Sequence, residues 1–322
     1  MSEHTDPQDS SMDLTGTSSS FPWGELVFPA KPELPPEMKG FQLCDSLGSG
    51  STGTVYRSVQ TKEFAVKVVP WHHNNLRETA RREYDMAGLF ADCEQTVHVF
   101  AYYEHDGNSF ILQEIGEPIM DYFFRNPCTL ETLLQVLLDI SVALGFIHSR
   151  GYTHFDVKPG NILAVNGKAK LGDFSHCLHY VRGQEYDRPM GTSAFKAPEI
   201  VSGSRHSGLE DMYSLGVTMY VLLMAGLLPF EGKSGDSRDQ GRRPIRSLFI
   251  HPDLLSIIQK AAAYDPADRY QRFEDFSKDI LSFMDRHHDQ LDEKVPAYLS
   301  NDLRRPTIPP VTAASTIRSD LS

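Results

Sequence analysis

Cysteine is scarce in this sequence. The four present, Cys44, Cys93, Cys128 and Cys177, stand far apart, none at the close spacing of a metal-ligand pair. A disulfide-stapled scaffold and a zinc finger are thereby excluded, and free thiols fit a reducing, intracellular compartment, cytoplasmic or nuclear. Positive charge is also in short supply: 31 Lys and Arg face 43 Asp and Glu, a net charge of −12 with histidine neutral. Nucleic acids and anionic membranes are recognised through basic surfaces, so neither is expected as a partner. No basic and apolar leader opens the chain, since MSEHTDPQDSS is polar and acidic, and a signal peptide is not expected. No internal repeat is visible. One uncharged stretch, Met212 to Phe230, imitates a membrane span. Ser214, Gly216, Thr218, Gly226 and Pro229 interrupt it, so it reads as a buried helix of a large domain.

What is present is globular in character, with 40% hydrophobic and 23% charged residues. Residues 1–37, rich in Ser, Pro and acid, read as a disordered arm, and 291–322, with Pro306, Pro309 and Pro310, as a disordered tail. Both tails are candidate regulator-binding segments. The folded part is therefore expected over 38–290. Its first portion, 38–115, is strand-rich: FQLCDSLG, TVYRSV, EFAVKVVP, TVHVFAYYE and SFILQEI alternate with turn signals, and one helix is expected from Leu76 to Phe90. After Glu117, Leu130, Leu133, Leu134, Leu137, Leu144 and Ile147 recur at helical spacing, and further helices are expected at 209–225, 252–263 and 272–286. The architecture implied is α+β: a small β-rich lobe followed by a larger helical lobe over 116–290.

Five constellations carry chemistry. Gly48, Gly50 and Gly53 form a G-x-G-x-x-G run ending in Thr54-Val55, set between two strand-like segments. It reads as a hairpin whose backbone N–H groups can approach phosphates, not as the strand-to-helix turn of a dinucleotide fold. Lys67 follows Ala65-Val66 on the next strand, a position where a lysine is ordinarily solvated; Glu83, with Glu78 as competitor, lies on the helix beyond. Then come Thr153-His154-Phe155-Asp156-Val157-Lys158-Pro159-Gly160-Asn161-Ile162-Leu163, Leu171-Gly172-Asp173-Phe174-Ser175, and Gly191-Thr192-Ser193-Ala194-Phe195-Lys196-Ala197-Pro198-Glu199.

In this order and spacing the set resembles the eukaryotic-type protein kinases, over about residues 38–286. Asp211 to Gly216 resembles the start of that family's buried central helix, and Asp265 to Tyr270 the segment whose arginine, here Arg269, pairs with the glutamate of A-P-E, here Glu199. The resemblance implies a bilobal fold and transfer of the ATP γ-phosphate to Ser or Thr of protein substrates. It implies that Leu47, Gly48, Gly50, Gly53 and Val55 cover the nucleotide, that Ala65 and Leu163 help enclose the adenine, and that Glu114 and Gly116 form the hinge. Lys67, held by Glu83, would contact the α- and β-phosphates. Asp156 would orient the substrate hydroxyl, Lys158 neutralise the transferring phosphate, Thr192 hydrogen-bond beside them, and Asn161 and Asp173 hold Mg²⁺.

Three departures qualify this. Gln113, before the hinge, is polar where the family is more often apolar. Phe155 stands where many regulated kinases have the arginine that receives a phosphorylated loop, and the loop itself, 176–190, contains no Ser or Thr. Ser175 replaces the glycine after Asp173-Phe174. The absent arginine also resembles the Wee-type and membrane-associated inhibitory kinases, while the C-terminal helices resemble bacterial Ser/Thr kinases, so the subfamily stays open. The alternatives are a pseudokinase acting as a nucleotide-binding scaffold and, less favoured by the intact G-T…A-P-E segment, a kinase-like enzyme acting on a small molecule. His72-His73 and His287-His288 read as surface pairs, His154 as a packing residue and Cys177 as an inert thiol.

Overall fold

The computed structural model describes residues 31–50, 52–60, 62–72, 74–180, 191–203, 206–230 and 249–295. By contact the chain divides into 1–32, almost wholly outside those residues, and 33–322, which carries every described helix and strand. The first lobe of this second unit is an antiparallel sheet of β1 (Gln42–Ser49), β2 (Thr54–Val59), β3 (Glu63–Pro70), β4 (Val99–His105) and β5 (Asn108–Gln113), in the order β1-β2-β3-β5-β4. One helix, α1 (Asn74–Leu89), lies against it.

The two-residue period of β3 sorts its side chains. Val66 and Val68 join Met38, Leu43, Tyr56, Phe110 and Leu112 in one apolar cluster, whereas Val69 packs with Ala80 of α1 and Ile111 on the other face. Lys67 has the parity of Val69, so the strand delivers its side chain to the α1 side. It is buried rather than solvated, 6% exposed.

The second lobe runs β6 (Glu117–Pro118), α2 (Ile119–Arg125), α3 (Leu130–Ser149), β7 (Tyr152–Thr153), β8 (Ile162–Val165), β9 (Lys168–Leu171), β10 (Leu178–His179), α4 (Pro198–Val201), α5 (Glu210–Leu223), α6 (Pro252–Ala261) and α7 (Phe273–Arg286). Its strands form two small sheets, β6-β8-β9 and β7-β10. Thr129 caps α3 by accepting from the Thr132 N–H at 3.2 Å. Leu133, Leu134, Leu137, Leu144 and Ile147 of α3 are buried with Met212, Leu215, Met219 and Leu222 of α5 and Phe276, Ile280 and Phe283 of α7 in the main core. By length and composition α3 could cross a membrane, but its apolar face is spent on this core. Helix α5 is buried from Glu210 to Leu223. With no side facing water it needs no polar stripe, which explains the uncharged run at 212–230.

The ordered region is longer at both ends than the sequence suggests. Leu34 and Phe41 pack on the first lobe's apolar cluster and a 3-10 turn at Pro36–Met38 buries Met38. Proline, read as a sign of disorder, here favours that turn. At the other end Leu291, Glu293 and Val295 exchange backbone hydrogen bonds with Glu131, Leu130 and Cys128, and Val295 is buried. Residues 34–37 and 291–295 are therefore not part of disordered tails. The expected arm over 1–30, the loop 181–190 and the tail 296–322 lie outside the described residues.

Candidate active site

The cleft between the lobes begins at the β1–β2 hairpin, where the Gly50 N–H donates to the Gly53 carbonyl at 2.9 Å. Gly53 is obligatory for space: a Cβ there would fall 2.2 Å from the Val68 carbonyl oxygen. Leu47 and Gly48 lie on β1 and Val55 opposite Lys67 on β2. Ala65 is buried on β3 opposite Gln113, whose neighbour Glu114 starts the segment linking the lobes. The Glu114 N–H donates to the His98 carbonyl at 2.9 Å, and its carboxylate accepts from Lys170 at 2.8 and 2.9 Å and from the His98 N–H at 2.9 Å. Gly116 packs against Leu163 and Val165 of β8, and Leu163 pairs with Pro118.

Behind the hairpin, Lys67 Nζ donates to both Glu83 oxygens at 2.7 and 2.8 Å and reaches Asp173 Oδ1 at 3.3 Å. Glu78, the competitor, has no part in this. Burial would lower the Lys67 ammonium, but Asp173 and Glu83 outweigh it and hold it above its ordinary value. Burial also opposes ionisation of Asp173, and the Lys67 charge with the Ser175 hydroxyl overcomes it, leaving that carboxyl well below the usual range. Burial pushes Glu83 up against the pull of Lys67.

Asp173 is left-handed, φ 60°, at the start of the 3-10 turn Phe174–His176. Phe174 is tucked between Phe90, beyond the end of α1, and His154, with ring centroids at 5.4 and 5.5 Å. Every hydrogen bond and ion pair described for Asp173 falls on Oδ1, while its side chain stays 26% exposed.

On the far wall, Asp156 is the centre of a second network. Lys158 Nζ donates to Asp156 Oδ2 at 2.7 Å and to Thr192 Oγ1 at 2.6 Å, and the Thr192 N–H donates to Asp156 Oδ1 at 2.7 Å. Asn161 Nδ2 donates to the Asp156 carbonyl at 2.8 Å and to Oδ2 at 3.1 Å. Burial raises Asp156, but Lys158 and Thr192 prevail and keep it below the ordinary carboxylate range. Gly191, φ 80°, lets Thr192 come this close, since a Cβ there would meet the Phe155 carbonyl oxygen at 2.1 Å.

Asp211, at the start of α5, holds this wall from behind. Its carboxylate accepts from the backbone N–H groups of His154 and Phe155 at 2.7 and 2.8 Å and lies 2.8 Å from His148 Nε2. Phe155, at φ 66°, is buried among Phe195, Ala197, Ile200 and Tyr213. Arg269 grips Glu199 with two hydrogen bonds of 2.6 and 2.7 Å, both side chains buried, as the sequence led us to expect.

The structure thus brings Lys67, Glu83 and Asp173 together in one network and Asp156, Lys158, Asn161 and Thr192 in another. The protein kinase domain family matches residues 41–293. The chain belongs to the protein kinase family. Among its relatives, a MAP kinase-interacting serine/threonine-protein kinase, mnk-1, of Caenorhabditis elegans is 30% identical over 75% of this chain and 38% of its own length. The serine/threonine-protein kinase PknK of Mycobacterium bovis is 29% identical over 85% of this chain and 26% of its own length. PrkC of Bacillus subtilis, also a serine/threonine-protein kinase, is 27% identical over 79% and 42%. The chain therefore spans less than half the length of these curated relatives.

Several kinase-site residues escaped the sequence reading. Lys170 and His98 brace Glu114, but nothing in KAKLGD or TVHVF marks a partner across that distance. Leu171 exchanges backbone bonds of 2.8 and 2.9 Å with Gln95 and Val97 just before Asp173, a contact without side-chain signature. Cys177 is fully buried, and burial pushes its thiol far up, in keeping with an inert residue. His287 is not simply a surface residue: its ring lies 4.4 Å from that of His251 and near Asp253. A cavity of about 790 Å³ between α3 and α7, lined by Val142, Phe146 and Leu281, holds none of the site residues.

Oxygen donors suit a hard divalent cation. The Asn161 amide nitrogen is committed to Asp156, which leaves its amide oxygen as the atom that could ligate. Asp173 takes its described hydrogen bonds on Oδ1, which leaves Oδ2 for the same purpose. The oxygen donors of these two residues suit a hard divalent cation in chemical type.

Proposed function

We propose that this protein kinase transfers the ATP γ-phosphate to Ser or Thr hydroxyls of protein substrates. The observation that carries the proposal is the simultaneous presence of both networks: Lys67 on Glu83 and Asp173, and Asp156 with Lys158 and Thr192. Phosphoryl transfer asks the protein for position and charge rather than covalent chemistry, and each network supplies one part. Lys67, held charged by two carboxylates, is placed for the inner phosphates. The hairpin with Gly48, Gly50 and Gly53 covers them, Val55, Ala65 and Leu163 enclose the base, and the Glu114 carbonyl and Gly116 backbone are the polar edge it meets. Mg²⁺, held by Asn161 and Asp173, would neutralise charge on the phosphates. Asp156 stays ionised at neutral pH and keeps acceptor capacity on Oδ1 for a substrate hydroxyl. Lys158 lies beside it to stabilise the transferring group, and its bond to Thr192 fixes the floor on which a peptide Ser or Thr is presented.

Transfer is favoured over a scaffold role because neither of the departures next to the catalytic residues displaces a catalytic side chain: Ser175 leaves Asp173 in place and Phe155 leaves Asp156 in place. Phe155 supports a further part of the proposal. Its ring fills an apolar cluster with Phe195, Ala197 and Ile200, so the segment before Glu199 is held by burial where other members use a phosphate. Activity then needs no Ser or Thr phosphorylation within 176–190. Labelled ATP with Mg²⁺ and a generic substrate should give phosphoserine or phosphothreonine, and Lys67→Met should reduce the rate roughly 100-fold or more. Equal rates would remove the assignment of Lys67. Intact mass of the active protein should show no phosphate required in 176–190; a rate that depends on one there would overturn that part.

A further inference from the structure

The hydroxyl of Ser175 has one proton and two neighbours. Its Oγ lies 2.6 Å from Asp173 Oδ1 and 3.1 Å from His176 Nδ1. The short bond to a carboxylate takes the proton, so the histidine contact runs the other way, with Nδ1–H donating to Oγ. The chain His176 to Ser175 to Asp173 is therefore directional. Ser175 is 2% exposed and its backbone N–H also lies 3.4 Å from Oδ1. Oδ1 thus accepts from Lys67 on one side and from Ser175 on the other. Three donors on one oxygen, Lys67 Nζ, Ser175 Oγ and the Ser175 N–H, fix the torsion of a carboxylate whose backbone is already in the left-handed region. A glycine in this position offers neither the hydroxyl nor the restriction on the backbone.

We infer that Ser175 is a positioning residue that locks Asp173 with Oδ2 presented to the divalent cation of a bound nucleoside triphosphate. This rests on the reading of Asp173 as a cation-holding residue. The serine, a departure from the family's glycine, then acts as preorganisation: the unliganded protein holds Asp173 oriented, so less ordering remains to be done when the nucleotide–metal complex binds.

The test is calorimetric binding of a non-hydrolysable ATP analogue to the full chain, with Mg²⁺ and with EDTA, for the wild type and for Ser175→Ala, Ser175→Gly and Ser175→Thr, each checked for an unchanged circular-dichroism spectrum. Ser175→Ala and Ser175→Gly should weaken binding with Mg²⁺ by roughly five- to tenfold while binding in EDTA stays at the wild-type value. Ser175→Thr, which keeps the hydroxyl, should restore most of the difference. Equal affinities for wild type and Ser175→Ala in Mg²⁺, or an equal loss with and without the metal, would overturn the inference. A wild type that binds the analogue with Mg²⁺ as expected yet transfers no phosphate would defeat the enzyme reading while leaving Ser175 as assigned. A wild type whose binding is indifferent to Mg²⁺ would defeat both.

Discussion

At the scale of single residues, the most informative position is Phe155. It occupies a positive φ that a bulky side chain adopts only when its surroundings compel it. The compulsion comes from both sides of the residue: its N–H is held by Asp211 and its ring is buried against Phe195, Ala197, Ile200 and Tyr213. Truncation to alanine removes the ring and leaves the strain. We expect Phe155→Ala to lower unfolding free energy by about 3–5 kcal/mol, read by urea denaturation, and to loosen the segment around Thr192 before the rest of the lobe in hydrogen exchange. An unchanged midpoint would mean that the ring does not hold this segment. The sequence showed that an arginine was missing here. It did not show what the phenylalanine does instead, because the cluster gathers residues from 155, 195 to 200 and 213 that no local pattern connects.

At the scale of elements, function depends on which face each strand or helix presents. The position of Lys67 was legible, since strand parity and the preceding Ala65-Val66 follow from EFAVKVVP alone. Its burial was not, because that needs α1 to bring Glu83 across the sheet. The buried helix α5 was legible from its lack of charge; the task of Asp211 at its first turn was not. That carboxylate joins α5 to His148 and to the backbone of 154–155, and burial, which would raise it, is outweighed by His148 and His154, so it lies below its ordinary value. A carboxyl with a depressed folded pKa contributes stability above its unfolded value of about 3.9, and that contribution is withdrawn as pH falls through the lower folded value. Asp211→Asn should therefore be less stable than the wild type at pH 7, by about 2–4 kcal/mol, with the gap closing below about pH 4. Thermal unfolding across that range checks it; a gap independent of pH would assign the loss to geometry rather than charge.

At the scale of the whole molecule, the two lobes and the order of their motifs could be read from the sequence because each motif lies within a few residues. The ends of the folded region could not. Pro-rich residues 34–37 and the polar 291–295 look like tail by composition, yet each is fixed by contacts to distant parts, the first lobe's cluster and the start of α3. The cleft assembles two charge networks, one from the first lobe through Lys67 and Glu83, the other from the second through Asp156, Lys158 and Thr192, and the central claim is that together they move a phosphate. Asp156 divides that claim most cleanly, since the proposal gives it the acceptor hydroxyl to orient and no contact with the nucleotide. The measurement is kcat and the ATP KM of Asp156→Asn beside the wild type, with Mg²⁺ and a Ser/Thr substrate. The account predicts kcat lower by roughly 100-fold or more at an ATP KM within about twofold of the wild type. A wild type without transfer, or an Asp156→Asn variant that transfers as fast, would contradict it.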